Sequence, residues 1–121
     1  MIKKPLTDPA PCTADILAMT DTLDILGGKW KLLIIHYLTV RENDLNTFKK
    51  IERDISGISA KVLSKELKDL EANKLITREE QKTKPISVAY RITEYGKSTQ
   101  EIITLLVKWG QNHRQHILSQ E

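Results

Sequence analysis

SGISAKVLSKELKDLEANKLI, Ser56 to Ile76, is the stretch on which the reading of this chain turns. Ser59 has the chemistry of an N-cap, because its hydroxyl can accept from an orphan amide of the first helical turn. Ile58 before it can pack on Leu63 as a hydrophobic staple, and Asn73 suits a C-terminal stop. A helix from Ser59 to Asn73 sets Lys61, Ser64, Lys65 and Lys68 along one stripe. Val62, Leu63, Leu67 and Leu70 fall on the other side. Glu66 breaks the pattern by projecting into the apolar arc, where a buried carboxylate is costly without a partner. Either it lies at the edge and reaches water, or it pairs with a cation such as Arg78.

Working outward, Phe48, Ile51 and Ile55 mark a short helix from Thr47 that carries Lys49, Lys50 and Arg53. A short helix, a tight turn containing Gly57 and a second helix make a helix-turn-helix arrangement. Beyond Leu75 the period changes to two. Ile86, Val88, Tyr90 and Ile92 alternate with Ser87, Ala89, Arg91 and Thr93, as in a half-buried strand. LITREEQ is a weaker partner strand, and KTKP the turn, so Lys82 and Lys84 stand at a hairpin tip. The hairpin makes the motif a winged helix. A major groove admits one helix, and the phosphates on its rim favour cations beside it. From Thr47 to Lys68, six basic residues oppose three acidic ones, while the rest of the chain sums to zero. A lysine stripe alone usually faces water. The basic helix before it, the glycine turn, the Ser59 cap and the basic wing together reverse that preference.

Elsewhere, Thr13 can cap a helix bearing Ile16, Met19, Leu23 and Leu26, which Gly27 and Gly28 end. A second helix carries Trp30, Leu33, Ile34, Tyr37 and Leu38, with Leu32 and Ile35 widening its apolar surface. The last helix is expected from about Glu94 to near His116. Its stripe of Ile102, Leu105, Leu106 and Trp109, widened by Ile103 and Val107, is broader than a single core needs. The expected fold is mainly α with a small β-hairpin wing, an α+β winged helix-turn-helix. Residues 1–12 read as an N-terminal arm and 13–121 as one domain.

The composition excludes several classes. The chain has 121 residues, 29% of them charged, with a net charge of +3, which permits a polyanionic partner without demanding one. Cys12 is the one cysteine, so no internal disulfide or multi-cysteine metal site can form. The longest aliphatic run, Leu32 to Ile35, is far too short to span a bilayer, and a cytoplasmic protein is expected. No glycine-rich phosphate loop, nucleophile elbow or paired carboxylate motif suggests an enzyme, so no catalytic residue and no cofactor are assigned. His113 and His116 could share a metal but lack a third ligand nearby, which favours a solvated tail. His36 carries no motif.

The chain also resembles the HxlR-type winged-helix transcriptional regulators of bacteria. The matching residues are Cys12, LGGKW at Leu26–Trp30, GIS.KVLS.EL..LE at Gly57–Glu71, VAYRITEYG at Val88–Gly96, and WG at Trp109–Gly110. Their order covers nearly the whole chain, from about Cys12 to His116. Two departures stand out. Thr47 replaces the family's usual Arg before the third-helix Phe, and Thr13 replaces the Pro that usually follows the cysteine.

The resemblance implies a homodimer built on the terminal helices and bound to operator DNA. Ile16, Met19, Ile102, Ile103, Leu106, Val107, Trp109 and Gly110 are the expected dimer contacts. It also implies that Cys12 is a candidate oxidant or electrophile sensor, and that the inducer, unidentified from the sequence, would be a small molecule or an oxidant. The cysteine falls near a helix start, where the dipole favours a reactive thiolate. The competing reading of Cys12 is a small apolar residue packed at the dimer seam. On duplex DNA, Ser59, Lys61, Ser64 and Lys65 are expected at base edges or the groove rim. Lys49, Lys50, Arg53 and Lys68 would meet phosphates, and Lys82 and Lys84 the flanking minor groove or backbone. The alternative is a winged helix that binds another protein without specific DNA binding.

Overall fold

A computed structural model describes residues 10–120. Five α-helices and one hairpin follow in the order α1 (Ala10–Leu26), α2 (Lys31–Val40), α3 (Phe48–Asp54), α4 (Ala60–Ala72), β1 (Ile76–Gln81), β2 (Ser87–Ile92) and α5 (Gln100–Ser119). The expected fold class is the observed one. Most of the expected N-terminal arm, residues 1–9, lies outside the described residues. Its last residues, from Ala10, are already helical, so Thr13 sits inside α1 and does not cap it.

The helix-turn-helix forms because its caps are satisfied locally. Thr47 Oγ1 accepts from Lys50 N at 3.2 Å to open α3, and Ser59 Oγ accepts from Val62 N at 3.1 Å to open α4. Between them Gly57 has φ +89°, a left-handed conformation that costs glycine little. At the far end of α4, Leu75 N donates to Leu70 O and Lys74 N to Glu71 O, at 3.0 and 2.9 Å. This closes a Schellman motif after Asn73, and Lys74 occupies its left-handed position at φ 67°.

The core is built around α2, which packs against β2, α4 and α5. Ile34, Ile35 and Leu38 of α2 are completely buried, as are Ile51 of α3 and Leu63 and Leu70 of α4. Leu67, Leu75, Ile76, Tyr90 and Ile92 join them. Ile58 and Leu63 are both in this cluster, as the staple requires. The buried stripe of α2 is rotated from the expected one. Leu33 is half exposed, whereas Lys31 and Ile35 face inward, with Lys31 turned toward Glu66 of α4. Ile34, Tyr37 and Leu38 are buried as expected, and Trp30 packs against the core from the N-cap. Val62 of α4 is likewise 37% exposed.

β1 and β2 pair antiparallel from Ile76↔Ile92 to Gln81↔Ser87. Thr47 forms an isolated bridge with Ala89, which attaches the start of α3 to the wing. That bridge buries Ala89, expected to face outward. Ile86, expected to alternate into the sheet, precedes β2 and is 70% exposed. Asn46, 1% exposed, ties the preceding loop: its Nδ2 donates to Arg41 O at 2.8 Å, and its carbonyl accepts from Tyr90 N at 2.9 Å.

At the hairpin base, Thr93 Oγ1 donates to Lys74 O and Leu75 O, and accepts from Gly96 N at 2.8 Å. A Cβ on Gly96 would lie 2.2 Å from Leu75 O, so only glycine fits there. The chain then makes a 3-10 turn, Gly96–Thr99, before α5 starts at Gln100, later than the expected Glu94. The helix runs on past His116 to Ser119. No helix among the described residues is long and apolar enough to cross a membrane.

Candidate nucleic-acid interface

The outer face of α4 carries the expected lysine stripe. Lys61, Lys65 and Lys68 are exposed and Ser64 is partly so, while the opposite face supplies Leu63, Leu67 and Leu70 to the core. Ser59 is exposed; its oxygen accepts at the cap, and its O–H remains able to donate. Lys61 and Lys68 make no ion pair with any described residue, and neither do Lys82 and Lys84 in the wing turn. That turn is pinned by Thr83, whose Oγ1 donates to Pro85 O at 2.8 Å and lies 3.3 Å from Ser87 Oγ.

Glu66 is 7% exposed, and its partner is Lys31, not Arg78. Lys31 Nζ donates to both carboxylate oxygens, at 3.2 and 3.0 Å, and lies 3.4 Å from Asp69 Oδ2. Arg78 lies 4.0 Å from Glu80 instead. Lys65 completes a four-membered alternation, 3.2 Å from Asp69 and 3.7 Å from Glu66. The hydrogen bond and charge of Asp69, then the charge of Glu66, hold the Lys65 ammonium above its ordinary range. Lys65 and then Lys31 hold the Asp69 carboxyl below its own. The consequence is electrostatic: the acid in the middle of α4 is withdrawn from the lysine face and neutralised from behind.

The third helix presents its cations unevenly. Lys49 is almost fully exposed, with Glu52 3.9 Å away. Lys50 turns back, its Nζ 3.3 Å from Asn46 Oδ1 and 3.7 Å from Asp44, which takes it off the outer face. Arg53 is exposed but donates to Asp54 Oδ1 at 3.0 Å. Asp54 also accepts from Tyr37 Oη at 2.7 Å. Arg53 first, then Tyr37, hold the Asp54 carboxyl low. Burial, then the hydrogen bond to Asp54, pushes the Tyr37 phenol up to about 12. Thr47, at the position where the family usually has Arg, serves as the α3 cap.

A second surface lies on the terminal helices. Ile102, Leu105, Leu106, Val107 and Trp109 of α5 are exposed, as are Ile16, Met19 and Leu23 of α1. Trp109 stacks on His113 with centroids 5.0 Å apart. Ile103, expected among the dimer contacts, is instead buried in its own chain's core, because the fold packs α5 against α2 along that edge. Gly110 is partly buried, and Cys12 is exposed near the described start of α1.

Sequence reasoning missed Lys31. Lysine at 31 followed by Ile34, Ile35 and Leu38 is spaced i, i+3, i+4, i+7, so a cation on the buried stripe of α2 was a visible signal for the acid on the buried stripe of α4.

The family model for HxlR-like helix-turn-helix proteins matches residues 25–118. The HTH-type transcriptional regulator YtcD of Bacillus subtilis is 34% identical over 97 residues, 80% of this chain and 75% of that one. Among solved structures, the redox regulator HypR in its reduced form matches with a TM-score of 0.73 at 28% identity, covering 84% of this chain and 98% of that one. Its oxidised form matches at 0.69. The reduced form of the transcriptional regulator YodB from B. subtilis matches at 0.64 and 34% identity, covering 76% and 87%, and the diamide-treated form at 0.63. The chain belongs to the HxlR-like helix-turn-helix family, whose members are transcriptional regulators and not enzymes.

Proposed function

We propose that this chain regulates transcription in the cytoplasm as a homodimer that reads a pseudo-palindromic operator. The observation that carries the reading is the capped helix α4, with Lys61, Lys65 and Lys68 outward and Glu66 drawn inward to Lys31. An outward cationic face from which Glu66 is withdrawn, leaving Asp69 beside Lys65 as the one carboxylate in its middle, suits a major groove lined by phosphates. Ser59, Lys61, Ser64 and Lys65 serve at base edges, and Lys49, Arg53 and Lys68 at phosphates. Lys82 and Lys84 reach the flanking minor groove or backbone. Lys50 reaches phosphate only by leaving Asn46. The exposed apolar faces of α1 and α5 support dimerisation, since contiguous apolar patches of this kind mark partner surfaces. Two copies of α4 then address half-sites about one helical turn, or a multiple of it, apart.

Cys12 is proposed as the redox switch. Its exposure supports this, as do the paired forms in which HypR and YodB are described. With no second cysteine in the chain, oxidation joins two subunits or adds a small thiol.

Selection of bound sequences from a random duplex library, with and without diamide, tests both parts. Enrichment of an inverted repeat, lost on oxidation in the native chain and retained in Cys12→Ser, is the expected result. Enrichment of a single half-site, or of nothing, overturns the operator reading. Release of DNA by oxidised Cys12→Ser overturns the switch. A binding that does not weaken steeply with added salt would favour a protein partner instead.

A further inference from the structure

A groove of about 660 Å³ opens between the start of α3, the outer face of α4 and the wing. Its size falls within the range of small-molecule sites, roughly 300–1,000 Å³. The walls are mainly apolar: Phe48, Ile86, Val88 and Tyr90 line it, and Ile86 is 70% exposed. Around this lining stand Lys49, Lys68 and Arg78, opposed by Glu71. Among the lining residues three cations stand against one carboxylate, with Glu52 3.9 Å from Lys49 and Glu80 4.0 Å from Arg78 just outside it. At that distance the Arg78 guanidinium keeps donors to offer. The hydroxyls of Ser64 and Ser87 add polar groups.

An apolar slot with aromatic walls and a cationic surround selects a flat organic anion over both a sugar and a neutral hydrocarbon. We propose that this groove binds a fused-ring aromatic carboxylate, whose charge the basic surround answers, and that binding excludes duplex DNA. The exclusion follows from shared residues, since Ser64, Lys68 and Lys49 belong to both sites. The regulatory half deepens the proposed function and rests on it, whereas the ligand site does not.

The probe is 1-naphthoate, titrated calorimetrically into the full chain without DNA. Saturable binding is expected, abolished by Val88→Trp, which fills the slot. Lys68→Gln and Arg78→Gln should each weaken it about tenfold, the worth of one charge-assisted hydrogen bond. The two rim variants, both at exposed positions, keep the test open should Val88→Trp fail to fold. The uncharged 1-naphthalenemethanol should bind about tenfold more weakly than the acid. No saturable heat, or heat unchanged in all three variants because the probe sits on the apolar face of α5, overturns the site. In a second arm, saturating 1-naphthoate should release selected operator DNA. Groove binding with unchanged operator affinity overturns the exclusion. A chain that binds no duplex removes the proposed function, yet the titration still decides the groove.

Discussion

Lys31 and Glu66 meet across the packing of α2 on α4, with the ammonium 3.2 and 3.0 Å from the two carboxylate oxygens and both side chains about nine-tenths buried. Their separation in sequence means that the pair fixes α4 to the centre of the core. Breaking such a pair leaves a buried charge behind. Lys31→Met should therefore cost about 3 kcal/mol, the low end for a buried pair, since Lys65 stays 3.7 Å from Glu66. Removing both charges, Lys31→Met with Glu66→Leu, should restore most of the loss or exceed native stability. Urea unfolding of the three chains checks this, and a double variant as unstable as Lys31→Met refutes it.

Tyr37 and Asp54 respond to pH in opposite directions. The phenol is raised to about 12 in the folded chain, so its contribution is complete below 10 and is lost as pH rises toward 12. The Asp54 carboxyl is lowered, chiefly by Arg53 and then by Tyr37. Its contribution is therefore present at neutral pH and fades as pH falls through the acid range. Tyr37→Phe should flatten the alkaline limb of a stability–pH profile and leave Arg53 to sustain most of the acid limb. Equal alkaline slopes in the two chains would contradict the assignment.

Much of this was legible from caps and periods. Ser59, Asn73 and the leucines at 63, 67 and 70 bound α4 within a residue, because capping chemistry and helical spacing are local. The wing was legible too, through its period of two. What escaped were features set by packing between elements. The buried face of α2 turned away from Leu33 and toward Lys31 because α2 packs on α4 there, where Lys31 meets Glu66. Ala89 turned inward because Thr47 bridges to it. Ile103 left the expected dimer surface because α5 packs on α2 there. The groove beside α4 joins residues from Thr47 to Tyr90, and no local pattern reports a space between elements.

Lys74 is the one described non-glycine residue with positive φ, at the left-handed position of the α4 terminus. That conformation costs an L-residue about 1–2 kcal/mol, part of which glycine returns through its freer unfolded chain. Lys74→Gly should therefore stabilise by about 1 kcal/mol and raise the melting temperature by roughly 3–5 °C in a chain of 121 residues. Calorimetry decides it, and an unchanged or lower midpoint would show that the position is unstrained.

On DNA the lysines should separate into two groups. Lys61→Ala should cost on the order of 1–3 kcal/mol on operator and far less on random duplex, if it reads a base. Lys65→Ala should do the same with a smaller loss, because Asp69 already engages its ammonium. Lys82→Ala and Lys84→Ala should weaken both duplexes alike and flatten the salt slope by about one each. Titrations on both duplexes at several salt concentrations distinguish them. Equal losses on both duplexes for every variant would remove base reading from α4.

The two faces of α5 make opposite predictions. Trp109 is 67% exposed and Ile103 only 5%. If the outer face is the dimer seam, Trp109→Glu should yield a folded monomer, since a carboxylate there meets only the partner's apolar surface. Ile103→Ala should instead leave the assembly state intact while costing about 2–5 kcal/mol of stability, as large-to-small core changes do. Light scattering and unfolding measured on both variants separate association from folding. A Trp109→Glu chain that still runs as a dimer would move the seam off this helix, and a monomeric but fully stable Ile103→Ala chain would reverse the assignment of the two faces.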